Sequence, residues 1–332
     1  MIAPSVDELL FFTGFGSFAW TYVYAQLPRP SADARCQLRG TITGPHCHYS
    51  RTLPTRWDFL DQGDGPTILA RATVVDPCFW TPTLPFLYDV TLELEQHGQR
   101  VWSTSQRIGL TRYGTRGCNL LCDGKRWVLR ATFLPFLRGP IQHAAPQLST
   151  LPQKTPSADF EFLEQAADGL REHLLGIAVE QPTISLCEWA STHGIPMIAD
   201  LRHRSSSTGS TISAIVRQFS RYPCIAATIV HREDVTTVRN SNKYLIVAEE
   251  LVGPELVDDR CENAMLADIA ICSVHNASTD GPNLQEWAAA IGRPMFAIRS
   301  DSQSMDIPSA RLACEQLQAD LAPWIDLAGY IV

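Results

Sequence analysis

The first third of the chain alternates hydrophobic and polar residues over short runs. In residues 87–94, for example, Leu87, Val90, Leu92 and Leu94 are interleaved with polar side chains. Alternation with a period of two is typical of a half-buried antiparallel strand. The same pattern predicts strands at 20–27, 36–43, 67–75, 87–94 and 101–110. Turns rich in Pro, Gly and Asp separate these strands, and no helical period lies between them. This spacing favours a β-sandwich of about seven strands.

From Trp127 onward the pattern changes to continuous apolar runs, most of them separated by amphipathic stretches of helical length. The eight apolar runs are 127–133, 174–180, 196–201, 224–233, 244–251, 269–276, 294–301 and 326–332. Helices are expected at 159–173, 183–193, 210–221, 255–266, 284–291 and 309–321. Alternating strands and helices predict a parallel β/α architecture, and eight strands predict a (β/α)8 barrel.

Two features depart from a complete barrel. Residues 234–243 are too few and too β-branched for a good fourth helix, and the chain ends on the eighth run, so the last helix is expected to be missing. A doubly wound open sheet is the alternative fold, although no G-x-G-x-x-G motif follows the first strand.

Two further segments lie outside this pattern. The apolar residues 9–20 follow Asp7 and Glu8, where a secretory signal would carry Lys or Arg. We interpret them as a β-edge or a domain cap that could cover the barrel beside the missing helix. The Pro-rich insertion 134–157 is expected to form an ordered loop over the barrel mouth or a flexible linker.

Composition narrows the class of protein. Hydrophobic residues make up 45% and charged residues 19%, and the net charge is −8. The acidic balance argues against a nucleic-acid partner, and no run approaches the roughly 18 apolar residues of a membrane span. The ten cysteines include no C-x-x-C pair, so neither a metal site nor a cofactor is predicted. A reduced, cytoplasmic protein is the simplest interpretation, and a disulfide framework is the alternative.

The passage around the change of pattern resembles a known family. Residues 79–94, FWTPTLPFLYDVTLEL, resemble the strand that closes the immunoglobulin-like domain of glycoside hydrolase family 2, the family of β-galactosidases, β-mannosidases and β-glucuronidases. Residues 107–112, RIGLTR, and 120–133, LLCDGKRWVLRATF, are similar to its passage into the catalytic barrel. The resemblance implies an immunoglobulin-like sandwich over 1–116 and a TIM-type glycosidase-like barrel over 117–332, lacking a full final helix.

The resemblance also implies positions for the two catalytic carboxyl groups of a retaining glycosidase. The acid/base position at the end of the fourth barrel strand falls on Glu233, where Arg232 replaces the family's Asn. The nucleophile position on the seventh strand falls on Arg299, and a guanidinium has no lone pair with which to attack a sugar. Asp301 is a weak candidate for the second carboxylate, and an Arg299–Asp301 ion pair is the alternative interpretation.

Other polar residues at predicted strand ends are candidates for binding substrate. They are Asp200, His231, Glu249 with its neighbour Glu250, His275, Asn276 and Arg299. The simpler interpretation of each is a side chain whose hydrogen bonds are satisfied within the fold.

The resemblance therefore implies a carbohydrate-related protein whose retaining catalysis is impaired. Two alternatives stay open. One is an active O-glycosyl hydrolase with a non-standard second carboxylate. The other is a non-catalytic scaffold that binds carbohydrate or another protein.

Overall fold

The computed structural model describes residues 6–29, 36–63, 65–133, 166–180, 182–202, 209–251, 266–299 and 305–332. After a short 3-10 turn at Val6–Glu8, the first seven strands form one antiparallel sheet in the order β1-β2-β5-β4-β3-β6-β7. These strands are β1 (Leu10–Gly16), β2 (Trp20–Pro28), β3 (Cys36–His46), β4 (Thr55–Asp61), β5 (Thr67–Val75), β6 (Leu87–Gln96) and β7 (Gln99–Ile108).

The sheet folds into a sandwich at β4. The first part of this strand pairs with β3, from Thr55 to Phe59, and its last two residues pair with β5. Side chains alternate between buried and less buried positions along β2, as the period-two sequence pattern predicts. The two layers enclose an apolar core in which Leu38, Phe59 and Leu92 are almost fully buried.

A small three-stranded sheet connects the sandwich to the barrel. It consists of β8 (Tyr113–Arg116), β9 (Asn119–Cys122) and β10 (Lys125–Arg126). Asp123 and Gly124 adopt positive φ at the β9–β10 turn, a conformation that an Asp-Gly pair favours in a hairpin. Leu120 is fully buried in the same apolar cluster as the barrel interior, so this sheet plugs one end of the barrel. The plugged end is the N-terminal end of the barrel strands, because the Tyr113 hydroxyl donates to the carbonyl of Pro223 (2.9 Å), just before the strand Ile225–Val230.

Eight parallel strands close into a barrel in sequence order. They are β11 (Leu129–Phe133), β12 (Gly176–Val179), β13 (Met197–Asp200), β14 (Ile225–Val230), β15 (Val247–Glu250), β16 (Ile269–Val274), β17 (Met295–Arg299) and β18 (Gly329–Ile331). The last strand pairs with the first, from Leu129 opposite Gly329 to Ala131 opposite Ile331. The predicted sandwich followed by an eight-stranded parallel barrel is therefore confirmed.

The helices outside the barrel agree with the sequence pattern, with one correction. Residues 166–172 are helical (α1). They are followed by α2 (Ile184–His193), α3 (Gly209–Phe219), α4 (Val235–Ser241), α5 (Ala277–Ile291) and α6 (Ile307–Leu321). The expectation that 234–243 would not form a good helix is wrong. Val235 and Val238 are buried against the barrel, and this packing outweighs the weak helix propensity of β-branched residues.

The Pro-rich insertion 134–157 and most of the helix predicted at 255–266 lie outside the described residues.

The apolar segment 9–20 forms the edge strand β1, so the β-edge interpretation is confirmed. It does not cover the barrel beside the last strand. The Phe11 amide donates to Ser220 Oγ after α3 (3.1 Å), and the Phe12 ring stacks on Tyr244 after α4 (4.4 Å between centroids). The segment therefore joins the sandwich to the α3–α4 side of the barrel.

The stretch that carries the family resemblance forms a second junction. Trp80 is 1% exposed, and its indole Nε1 donates to the Ser191 carbonyl of α2 (2.8 Å). Arg171 Nη1 donates to the carbonyls of Pro82 (2.9 Å) and His193 (2.7 Å). Gly194 ends α2 with a φ of 73°, and a Cβ there would lie 2.3 Å from the Pro82 carbonyl oxygen. Only glycine satisfies both conditions without rearrangement.

Candidate functional site

The side of each barrel strand that faces inward decides which residues reach the barrel mouth. Ile198 on β13, Ala248 on β15 and Ile271 on β16 belong to the interior cluster, whereas their neighbours pack against the helices. Since side chains alternate along a strand, Asp200, Glu250 and Ser273 fall on the interior side at the C-terminal strand ends. In (β/α)8 barrels this end carries the functional groups.

One arginine connects these three residues. Arg202, just after β13, bonds to both oxygens of Asp200, with Nη2 2.6 Å from Oδ2 and Nε 3.0 Å from Oδ1. Its Nη1 donates to Glu250 Oε2, and Ser273 Oγ donates to Glu250 Oε1 (3.2 Å). We call Asp200, Arg202, Glu250 and Ser273 the mouth network. It links three of the eight strand ends through charge-assisted hydrogen bonds.

The mouth network becomes more exposed from its floor to its rim. The Asp200 side chain is 1% exposed, that of Arg202 16% and that of Glu250 33%. Burial disfavours the charge on Arg202, but its hydrogen bonds and ion pairs with Asp200 and Glu250 outweigh burial and raise the pKa of Arg202 above its ordinary value. The guanidinium therefore stays charged and holds both carboxylates.

The acid/base candidate lies on a turn beside this network. After β14 the chain enters a 3-10 turn at Arg232–Asp234, so it leaves the strand direction before Glu233. Glu233 is exposed and makes no hydrogen bond or ion pair with any residue in the described ranges. His231 contacts the network, because its Nε2 lies 2.9 Å from the Arg202 carbonyl oxygen. Because a carbonyl only accepts, Nε2 carries the proton in this contact.

Among its described residues, β17 has no carboxylate at the nucleophile position that the family resemblance implies. Phe296 and Ile298 belong to the interior cluster, while Met295 and Ala297 pack toward the helices. Arg299 follows the second set, so the alternation places it on the helix-facing side. Ile298 is the last described residue of the strand on the interior side. Asp301, the weak candidate for a second carboxylate, lies outside the described residues.

Of the two candidates on β15, Glu249 faces away from the mouth, and Glu250 faces into it. Glu249 shares the helix-facing side of β15 with Val247, and it is 3% exposed. Its Oε2 has no hydrogen-bond partner within the part of the chain that the structure describes. Burial raises the pKa of Glu249, while the charges of Arg232 and Arg293 act in the opposite direction.

His275 and Asn276 serve the start of α5. Asn276 is the N-cap, and its Oδ1 accepts from the Ser278 amide (3.0 Å). Asp280 Oδ2 accepts from the amides of His275 (2.8 Å) and Asn276 (3.0 Å). Partial desolvation opposes the charge on Asp280, but these amides outweigh it and lower the pKa of Asp280. For Asn276, the structure therefore favours the satisfied hydrogen-bonding interpretation.

Arg202 and Ser273 were not among the residues predicted from the sequence. The detectable signal was the alternation counted from the buried residues of each strand, which selects Asp200, Glu250 and Ser273 together. Arg202 stands after the strand, where period-two counting no longer applies. Among the described residues, no group of three or more His, Cys, Asp or Glu side chains could hold a metal ion. No helix in those ranges is both long enough and apolar enough to cross a membrane.

Of the comparisons with known proteins, the one with solved structures agrees with the observed architecture. No protein-family model matches the sequence. No curated protein matches it either. Solved structures match over nearly the whole chain. They include a glycosyl hydrolase family 2 member from Bacteroides cellulosilyticus, with 12% identity and a TM-score of 0.67, covering 99% of this chain and 45% of that one.

Two β-glucuronidases give similar matches. The enzyme from Parabacteroides merdae has 12% identity and a TM-score of 0.62, covering 98% of this chain and 47% of its own. The enzyme from Bacteroides uniformis has 14% identity and a TM-score of 0.64, covering 98% and 45%. The chain thus spans less than half the length of these three proteins. At this identity the matches show a shared fold of sandwich and barrel.

Proposed function

We propose that this protein binds carbohydrate at the barrel mouth and that retaining hydrolysis of the glycoside hydrolase family 2 type is impaired in it. The observation that carries the proposal is the mouth network, in which one arginine holds two interior-facing carboxylates, Asp200 and Glu250. A carboxylate bound in this way is a weaker nucleophile, because the cation offsets its negative charge, while each oxygen keeps a lone pair that can accept a further hydrogen bond.

The mouth network suits the recognition of sugar hydroxyls. A hydroxyl both donates and accepts, and the network offers the two oxygens of Glu250, the Ser273 hydroxyl and the Arg202 guanidinium within one cluster. The family resemblance of residues 79–133 and the fold shared with β-glucuronidases point to the same ligand class. Fold alone does not assign a function, so the proposal rests on the chemistry of the network.

Geometry on two strands supports the impairment. A retaining enzyme needs two carboxyl groups about 5–5.5 Å apart, one acid/base and one nucleophile. Glu233 is exposed on a 3-10 turn, after the chain has left the direction of β14. On β17, Ile298 occupies the interior side and Arg299 lies opposite.

A panel of aryl-glycosides tests this proposal. We expect wild type and Glu233→Gln to release the aryl group at equal, background-level rates, while both proteins bind the free monosaccharides in calorimetry. Turnover by wild type that Glu233→Gln abolishes would overturn the impairment. Absence of sugar binding in both proteins would overturn the assigned ligand class.

An active hydrolase with non-standard carboxylates is the second candidate function. The observation in its favour is that Asp200 and Glu250 are held by the same guanidinium. In that case wild type would turn over one of the aryl-glycosides, and Asp200→Asn and Glu250→Gln would each abolish turnover while Glu233→Gln would not.

The domain boundary and location complete the proposal. The predicted boundary at 116/117 falls in the β8–β9 turn, whereas the sandwich ends at Ile108. We therefore propose a boundary within 109–112, which keeps the plug sheet (β8, β9 and β10) with the barrel.

A cytoplasmic location is supported by nine described cysteines that are free thiols.

A further inference from the structure

A second recess, lined by both polar and apolar residues, lies between the sandwich and α2, and none of its lining residues belongs to the mouth network. Its volume is about 770 Å³, within the roughly 300–1,000 Å³ of ordinary ligand sites. We call it the sheet–helix groove. The residues used in the argument are Asp89, Thr91, Ser105 and Arg107 on the sheet and Ser185, Glu188, Trp189 and Thr192 on the helix.

The floor of the sheet–helix groove is the outer face of β6 and β7. Asp89 and Thr91 alternate with Val90 and Leu92, which point into the sandwich core. Arg107 Nε donates to Asp89 Oδ1 (2.8 Å), and the hydroxyls of Thr91 and Ser105 lie 3.2 Å apart. The floor therefore presents an acceptor, a donor and two hydroxyls side by side.

The wall of the groove is one stripe of α2. Ser185, Glu188, Trp189 and Thr192 follow the spacing i, i+3, i+4, i+7, which places them on one helix face. A helix that packs on a sheet normally presents an apolar stripe, but this stripe is largely polar and meets a polar floor. The bonds of Trp80 and Arg171 to α2 hold the wall in place beside the sandwich.

Two buried groups of the wall have unused hydrogen-bonding capacity. Trp189 is 4% exposed and Ser191 3%, and both line the groove. Trp189 Nε1 and Ser191 Oγ have no partner among the residues that the structure describes. An unpaired buried donor is costly, and both atoms lie beneath the groove surface, so an occupant could pair with them only if the lining moved.

From this combination we infer that the sheet–helix groove is a binding site for a small neutral saccharide, separate from the mouth network. Paired donors, acceptors and hydroxyls match the vicinal hydroxyls of a sugar, each of which both donates and accepts. The charged side chains of the groove, Asp89, Glu188 and Arg107, leave no positive excess for an acidic ligand. A neutral sugar therefore fits better than a uronic acid.

Fluorine NMR on protein labelled with 5-fluorotryptophan tests this inference at the site itself. The chain has eight tryptophans, and the resonance missing from Trp189→Phe identifies Trp189. We expect titration with cellobiose or lactose to shift that resonance, with glucuronic acid producing a smaller shift at equal concentration.

Matched variants assign the shift to the groove. Thr91→Val/Ser105→Ala removes the hydroxyl pair from exposed strand positions, and the loss of two hydrogen bonds is expected to weaken binding about tenfold. Ser103→Ala, on the same face of β7 but outside the groove lining, and Glu250→Gln, in the mouth network, should leave the titration unchanged.

The inference would be overturned if the Trp189 resonance did not shift at sugar concentrations up to about 50 mM, which is far above a millimolar Kd. It would also be overturned if a folded Thr91→Val/Ser105→Ala protein gave an unchanged titration. Glucuronic acid binding as tightly as the neutral sugars would overturn it as well. Loss of the titration in Glu250→Gln alone would assign the binding to the mouth, which refutes this site and supports the proposed function instead.

Discussion

The two ends of the barrel are built on different physical principles. At the N-terminal end, the plug sheet inserts Leu120 into the barrel interior, and the ring of Tyr113 stacks on Trp127 with centroids 5.7 Å apart. At the C-terminal end, Arg202 links Asp200 to Glu250 through charged hydrogen bonds. One end is closed by apolar packing, and the other is held by a polar network.

This difference explains where the family resemblance resides. The recognisable stretches at 79–94 and 120–133 are those that build the Trp80 junction and the plug sheet, and they contribute the buried side chains of Trp80, Leu120 and Leu129. The strand ends at the barrel mouth are held by polar contacts, and the resemblance of the scaffold does not by itself assign their chemistry.

The largest expected effect belongs to the packed junction. Trp80→Ala would remove a side chain that is 1% exposed and would leave a cavity between sandwich and barrel. We expect a loss of about 3–5 kcal/mol in the free energy of unfolding, measured by urea denaturation. Trp80→Phe is the matched control, since it keeps most of the ring but loses the bond to Ser191, and its cost should be about 1 kcal/mol. If Trp80→Ala lost less unfolding free energy than Trp80→Phe, the packing of Trp80 would not be what stabilises this junction.

The polar end should be sensitive to the removal of a single charge. Arg202→Met would leave the buried Asp200 carboxylate without its cation, and we expect a loss of about 3 kcal/mol in the free energy of unfolding. The double variant Arg202→Met/Asp200→Asn should recover much of that loss, because no buried charge is then unpaired. Equal stability of the single and double variants would show that the ion pair does not hold this end together.

Much of the architecture could be predicted from sequence because the barrel strands are buried on both faces. Continuous apolar runs such as 269–276 and 294–301 mark such strands directly. The helix α4 was missed because its stability comes from the burial of Val235 and Val238, which local propensity does not include.

The site was harder to predict because it depends on the orientation of single residues. A shift of one position along a strand turns a side chain from the mouth to the helices. That shift separates Glu250 from Glu249 on β15, and Ile298 from Arg299 on β17. Similarity to the family fixes the approximate position of a strand end, but not which of two neighbours faces inward.

The outward-facing glutamate of β15 should make the stability of the protein depend on pH. Burial raises the pKa of Glu249, so the folded protein binds a proton that the unfolded chain has released. Stability should therefore fall as pH rises above the ordinary pKa of a glutamate, until it passes the folded pKa. Glu249→Gln removes this penalty, and its gain in unfolding free energy over wild type should grow as the pH rises above the ordinary glutamate pKa of about 4.5. A gain that is constant as the pH rises, or largest at acidic pH, would contradict the assignment.

The smallest effect tests the turn of the plug sheet. Gly124 has a φ of 72° between β9 and β10, and nothing lies within 4 Å of the place where a Cβ would stand. Gly124→Ala therefore adds no clash, and its cost is only the left-handed backbone conformation, about 1 kcal/mol in urea denaturation. Gly124→Asn should cost less, because asparagine tolerates this conformation better than alanine does. If both variants cost the same and more than about 2 kcal/mol, the hairpin would be held by contacts beyond its backbone geometry, and the plug would be more tightly packed than its exposed turn indicates.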